Sequence, residues 1–524
     1  MSLPRSEYRR HYTYSEQATR KVFSKARQEF EENMSRNQPV TNPITGTTPT
    51  VMKAGLSYDL KKELAQGLTC EKLHRLYRRG MKVSELVNFL ITKRKHADQD
   101  QAMWSEKVSD QDLLEKAKEL DRKQEEILRT GIEFPKLFGI PFSVKGNIHV
   151  KGYTSTMGIP GLSWIKKSEK TDPAVQKILD EDAIFMGMSS MEMWAMGLTG
   201  MRGAPGQVPK NAVNRDYIPG GSSSGGASNV SSAMVSFAVV TDSAGSGRVP
   251  AAAQGIYSIK PSPSQELIGG FQEDPPKQFS REDCITFFTS CPEDLEKVWT
   301  ACSGETSPKS TKRYQVGYPV KMEKLDEIGV FGNEPYCKVD EPQLFQQAIG
   351  KFQEIGTCTP IEMEAVLRSA NRFLFRGTIG YRAAEIEAFK VSVPPSVSDA
   401  RLYKNIMEVF KRGRENKLSN IKEDRGKAKE LIDEWFEASD ILVLPSISCL
   451  PKAQEVLLDE ERGDSRHLLE CGRYTNWVNF FDLATVTLPL GGNRKDSNIP
   501  FSVTLIAKKG NEHMLLDCAK RLKS

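Results

Sequence analysis

From Phe138 onward the chain alternates short apolar runs with stretches of helical periodicity, joined by turns rich in small residues. The strand candidates are Ile140–Val144, Ile184–Met186, Val235–Val240, Ile441–Leu444 and Val503–Ala507, several of them unbroken apolar runs. A strand with one wet face must alternate, whereas a strand covered on both faces has no such need. The pattern therefore predicts an α/β fold, an α/β/α sandwich around a central mixed, twisted sheet. Ahead of it, Tyr58 to Leu128 reads as helical, with Leu60, Leu64, Leu73, Leu76, Leu113, Leu114, Ala117 and Leu120 as its apolar positions.

Two domains are expected: residues 1–55, a basic helical arm with a linker, and residues 56–524. The second divides into a helical part, 56–130, and the α/β core, 131–524. At 524 residues the chain can bury a sizeable core. The arm carries a stripe of Ala18, Val22, Ala26 and Phe30, then breaks at Asn37-Gln38-Pro39-Val40-Thr41-Asn42-Pro43. Its first 27 residues hold seven basic side chains against Glu7 and Glu16, which matches the whole chain's net charge of +5. The bland reading, a solvated basic helix face, is preferred over a targeting or nucleic-acid arm. Loops are expected near 261–278 and 303–312, and a charged loop over 456–467.

No secretory core or bilayer-length apolar run stands out. The nine cysteines lack any C-x-x-C pair and are odd in number, so they read as reduced core thiols of a cytoplasmic protein, with the mitochondrion left open. The six histidines are dispersed, so neither a metal nor a cofactor is expected.

Two segments carry chemistry: Gly220-Gly221-Ser222-Ser223-Ser224-Gly225-Gly226 and Thr241-Asp242-Ser243-Ala244-Gly245-Ser246-Gly247-Arg248. Upstream lies Lys145, in Ile140-Pro141-Phe142-Ser143-Val144-Lys145-Gly146-Asn147. Ser246 follows the Val235–Val240 strand and precedes a helical start at Arg248–Ala253. A serine there can attack a carbonyl if a base takes its proton and nearby N–H groups receive the developing oxyanion. Taken alone, Ser246 would be a helix N-cap, the glycine-serine run a turn, and Lys145 an ordinary strand-end lysine. Gly221-Ser222-Ser223-Ser224-Gly225 also fits the G-x-S-x-G elbow of α/β-hydrolases. Only His467 and His513 lie well downstream to serve such a triad, in a charged loop and a C-terminal helix.

The combination resembles the amidase signature family over roughly Leu60 to Ala507. In that family a serine after a cis peptide bond precedes the nucleophile by 24 positions, which is the spacing from Ser222 to Ser246. The resemblance implies Ser246 as nucleophile, Ser222 as the cis-serine bridge and Lys145 as base. It implies an oxyanion hole from the backbone amides of Ser243, Ala244, Gly245 and Ser246, with Asp242 and Arg248 as scaffolding. Within the family, Thr241–Ala252, Gly472–Ala484 and Pro500–Ile506 resemble the amidase domain of allophanate hydrolase, as does the stretch from Ala102 to Asp121, taken as that branch's N-terminal helices. That branch implies a small linear amide substrate cleaved with release of ammonia, an acyl-enzyme, a homodimer and no nucleic acid. Met196, Phe375 and Arg382 take its substrate-binding positions. Phe375 replaces a tyrosine there, Gly146 stands where an aspartate is common, and Met188-Ser189-Ser190 and Ser446-Ile447-Ser448-Cys449 also depart from the pattern. Two alternatives accompany this reading: a non-catalytic or partner-dependent subunit of a larger assembly, and the glutaminase subunit of a tRNA-dependent amidotransferase.

Overall fold

The computed structural model describes residues 58–97, 102–159, 167–204, 206–263, 283–306, 310–320, 342–367, 403–408, 411, 421–463 and 466–523. All belong to the unit Leu56–Ser524. The basic arm and linker, Phe375 and Arg382 lie outside the described residues.

Eleven strands form one sheet: β1 (Trp104–Lys107), β2 (Pro141–Lys145), β3 (Ile184–Ser189), β4 (Phe237–Asp242), β5 (Tyr257–Lys260), β6 (Cys284–Thr289), β7 (Tyr314–Pro319), β8 (Gly356–Ile361), β9 (Ile441–Pro445), β10 (Ala484–Asn493) and β11 (Pro500–Ala507). Their spatial order is β1-β3-β2-β4-β6-β5-β10-β11-β9-β7-β8. The β2–β3, β2–β4, β7–β8 and β7–β9 pairs are parallel and the remainder antiparallel, so the sheet is mixed. Every residue of β2, β4, β5, β6 and β9 is buried, as expected of strands covered on both faces. The Phe142 and Phe237 rings stack across β2 and β4 at 5.1 Å.

Two expectations need correction, one in the helical part and one in the α/β core. Helices run over Tyr58–Ala65, Cys70–Arg78, Val83–Ala97 and Asp110–Thr130, but Trp104–Lys107 is an edge strand paired antiparallel to β3. The segment 456–467 is not a charged loop: helices Ala453–Arg462 and Arg466–Cys471 occupy most of it. Glu455 reaches back to the Lys452 amide at 2.8 Å and Gly463, at φ 70°, closes the first helix, so its charges lie on a capped helix.

The helix Asp110–Thr130 begins at Ser109, whose Oγ accepts from the Asp112 amide at 3.0 Å, and ends at Gly131 with φ 72°. Its buried residues Leu113, Ala117, Leu120, Gln124 and Ile127 recur at helical spacing. Gln124 Nε2 donates to the carbonyls of Tyr77 and Met81 at 3.1 and 2.7 Å, which ties this helix to its neighbours. No helix among the described residues is long and apolar enough to cross a membrane.

Candidate active site

The parallel register of β2 on β4 aligns Phe142 with Phe237, Ser143 with Ala238 and Val144 with Val239. Continued by a residue or two, it brings Lys145 out beside Thr241. Lys145 Nζ donates to Thr241 Oγ1 at 3.0 Å and to its carbonyl at 3.3 Å, and Asn147 Nδ2 donates to the same hydroxyl at 3.0 Å. Carboxyl ends of neighbouring parallel strands are where open α/β sheets hold their ligands.

The glycine-serine run crosses this edge before the helix Ser224–Ser231. The Gly221–Ser222 peptide bond is cis. The Gly220 and Gly221 amides donate to the carbonyls of Thr199 and Leu198 at 3.1 and 2.8 Å, and the Ser222 carbonyl accepts from the Glu192 amide at 3.1 Å. Thus held, Ser222 Oγ accepts from Lys145 Nζ at 2.9 Å and donates to Ser246 Oγ at 2.9 Å. Lys145 and Ser222 are fully buried, while Ser246 is 5% exposed, so the chain of three runs from the interior outward. Ser246 is not a helix N-cap: the cap of Val249–Ala253 is Arg248, and the Ser246 hydroxyl faces Ser222.

The loop after β4 is braced from below. Asp242 Oδ1 accepts from the Gly245 amide at 2.8 Å, and Oδ2 from the Gly247 amide at 2.9 Å. The same carboxylate takes a two-pronged bond from Arg248, Nε to Oδ2 at 3.0 Å and Nη2 to Oδ1 at 2.8 Å. Burial alone would raise the Asp242 carboxyl, but the Arg248 guanidinium, aided by Lys260 and the Gly247 amide, holds it well below the usual carboxylate range.

Because Asp242 engages the Gly245 amide, that N–H is committed to scaffolding. Among the described residues no hydrogen-bond acceptor meets the amides of Ala244 and Ser246, which therefore stay available. From the other side, Arg248 Nη1 donates to Thr475 O at 3.0 Å and Nη2 to Asn479 Oδ1 at 2.6 Å. Asn479 Nδ2 returns to Asp242 O at 2.9 Å, and Thr475 Oγ1 donates to Ala244 O at 2.8 Å.

The structure thus brings Lys145, Ser222 and Ser246 together, and sets Ser243, Ala244 and Gly245 on the adjoining loop. Met196 closes the 3-10 turn Met193–Ala195; its carbonyl accepts from Arg202 Nη1 at 3.3 Å, and no described contact joins it to the serines. Sequence reasoning gave no role to Thr241, Asn147, Thr475 or Asn479. The first two could have been found from the β2–β4 register. The others had no local signal, being more than two hundred residues from the loop they brace. No group of three or more metal-binding side chains occurs among the described residues.

Comparison with known proteins gives the following relatives. A family profile described as Amidase matches residues 85–516. Urea amidolyase of Saccharomyces cerevisiae is 29% identical over 441 residues, covering 83% of this chain and 23% of that protein. The chain thus spans less than a quarter of this relative's length. A glutamyl-tRNA(Gln) amidotransferase subunit of Chlorobium limicola is 33% identical over 208 residues, 39% of each chain. The structure of Kluyveromyces lactis allophanate hydrolase superposes with a TM-score of 0.67 at 23% identity, over 84% of this chain and 72% of that one, a likeness of fold.

Proposed function

The chain belongs to the amidase signature family, and from that premise we propose that it hydrolyses a small linear amide of the allophanate type, releasing ammonia through an acyl-enzyme on Ser246. The observation that carries this reading is the unbroken hydrogen-bonded chain Lys145–Ser222–Ser246, with both links at 2.9 Å. The similarity to urea amidolyase supports the substrate class.

As drawn, the bonds run outward, from the Lys145 amine through the Ser222 hydroxyl to Ser246. Each hydroxyl can donate or accept, so when Lys145 is neutral and offers its lone pair the same chain runs inward. A lysine serves as base only in that neutral form, and burial disfavours an ammonium. Ser246 Oγ then attacks the carbonyl carbon while its proton passes to Ser222 and the Ser222 proton to Lys145. The oxyanion that forms is received by the amides of Ala244 and Ser246. Collapse breaks the C–N bond, and the proton returns through Ser222 to the leaving nitrogen, which departs as ammonia. Water repeats the sequence on the acyl group and frees Ser246. A homodimer accompanies this reading.

Ammonia release from allophanate and biuret tests it. Wild type turns over at least one of them and Ser246→Ala does not. Turnover surviving in Ser246→Ala refutes Ser246 as the nucleophile, and none by wild type on any short linear amide refutes the hydrolase reading and favours a non-catalytic role in a larger assembly.

A further inference from the structure

Glu192 grips the glycine-serine run twice. Its amide donates to the Ser222 carbonyl at 3.1 Å. Its Oε1 accepts from Thr199 Oγ1 at 3.3 Å and from the Arg202 amide at 3.1 Å, which holds the strap 198–202 against it. That strap supplies the Leu198 and Thr199 carbonyls to which Gly221 and Gly220 donate. Ser222 is thus held by the Glu192 backbone directly and by its side chain through the strap.

The second oxygen is the unusual one. Glu192 is fully buried, and among the described residues its Oε2 has no hydrogen-bond partner. It lies against two glycines, Gly221 and Gly197, at each of which an added Cβ would collide with it. An ionised carboxylate with one oxygen buried and unpaired carries a heavy desolvation penalty, which a neutral acid escapes. The charged groups that bear on Glu192 are Arg202 and Glu460, which pair with each other and so largely offset. Burial pushes the Glu192 carboxyl up to about 7, against the opposing pull of the Arg202 amide and guanidinium and of the Gly200 amide.

We propose that Glu192 is a positioning residue for Ser222 and acts as a neutral carboxylic acid, so that loss of its proton loosens the Gly221–Ser222 end of the catalytic chain. The proposal rests on the reading of Ser222 as proton relay. A charged Oε2 would draw a donor or water toward itself, and the space it would have to open lies between the strap and Gly221. Glutamine keeps the shape and the Oε1 acceptor but cannot ionise, which makes Glu192→Gln the informative variant.

The test follows the rate at which an alkyl fluorophosphonate labels the full chain, by intact mass, between pH 6 and 9. Wild type and Glu192→Gln label alike at pH 6, and the ratio of variant to wild type rises about tenfold by pH 8, as the neutral fraction of Glu192 falls. A ratio that stays flat while labelling depends on Ser246 overturns the proposal alone. A wild type with no Ser246-dependent adduct at any pH overturns the catalytic reading and this role together. Thr199→Val is the second variant, read out even if Glu192→Gln fails to fold. It removes a donor that favours the ionised form, so the fall in labelling moves to higher pH. An unmoved or lowered fall counts against the proposal.

Discussion

Thr475 and Gly245 interlock. Thr475 Oγ1 donates to the carbonyl of Ala244 at 2.8 Å and occupies the space where a Gly245 Cβ would sit. Gly245 itself has φ 131°, a conformation that a residue with a side chain adopts only under strain. Thr475 therefore seats the loop that carries Ser246 by filling the space a larger residue would need.

Gly245→Ala accordingly destabilises the protein by about 1–3 kcal/mol and slows labelling of Ser246. Adding Thr475→Ala to that variant relieves the clash and leaves the φ strain, so stability recovers only in part. Thermal unfolding of the single and double variants checks this. Full recovery would mean that contact alone matters at this position.

Asp242→Asn leaves the Arg248 guanidinium buried without its counter-charge, a loss of about 3–5 kcal/mol for a pair of this kind. The pH sign is fixed by the depressed Asp242 carboxyl. Its contribution is complete above the unfolded-state value near 4 and is lost as pH falls toward the lower folded value. Urea unfolding at pH 7 and pH 3 separates the two regimes: the gap between wild type and Asp242→Asn is wide at pH 7 and narrower at pH 3.

Lys145→Ala and Ser222→Ala each remove a link in the proton path and lower turnover by about 10²–10⁴-fold. Lys145→Arg does not restore it, because a guanidinium stays protonated at any working pH. Steady-state ammonia release by the three variants is the check, and near-wild-type activity in Lys145→Arg would exclude a base role.

Glu192 gives the opposite sign to Asp242. Its folded-state carboxyl is raised to about 7, so stability is greatest below the unfolded value near 4.3 and declines as pH rises through 7. The decline is of order 3 kcal/mol and levels off above pH 8. Glu192→Gln abolishes it, which melting temperatures at pH 5 and pH 8 would show. An equal decline in both proteins would assign it to other groups.

Burial on both faces did not by itself make a strand legible, since β5 and β6 are buried throughout and stand outside the strand candidates. β2, β4 and β9 are covered on both faces, and their apolar runs placed them to within about two residues. β1 and β8 are edge strands, half-wet and only four and six residues long, with no run to see. β10 is broken up by Thr485, Thr487 and Pro489 and is recognisable only from its neighbours β5 and β11. At the site, Lys145, Ser222 and Ser246 were legible through the resemblance of their segments to the amidase signature family, since taken alone they read as an ordinary lysine, a turn serine and a helix cap. The bracing by Thr475 and Asn479 leaves none, since an ordinary threonine and asparagine act there only through the fold. The amide of Gly245, grouped with its neighbours as an oxyanion donor, is taken up by Asp242 for a reason visible only in three dimensions.

The most direct test of the central claim is the intact mass of wild type and Ser246→Ala after incubation with a fluorophosphonate at pH 7. One adduct on wild type, mapped to Ser246 and absent from the variant, is the predicted result. An adduct of equal extent on both proteins, or none on wild type while the probe labels a known serine hydrolase in the same tube, would contradict it.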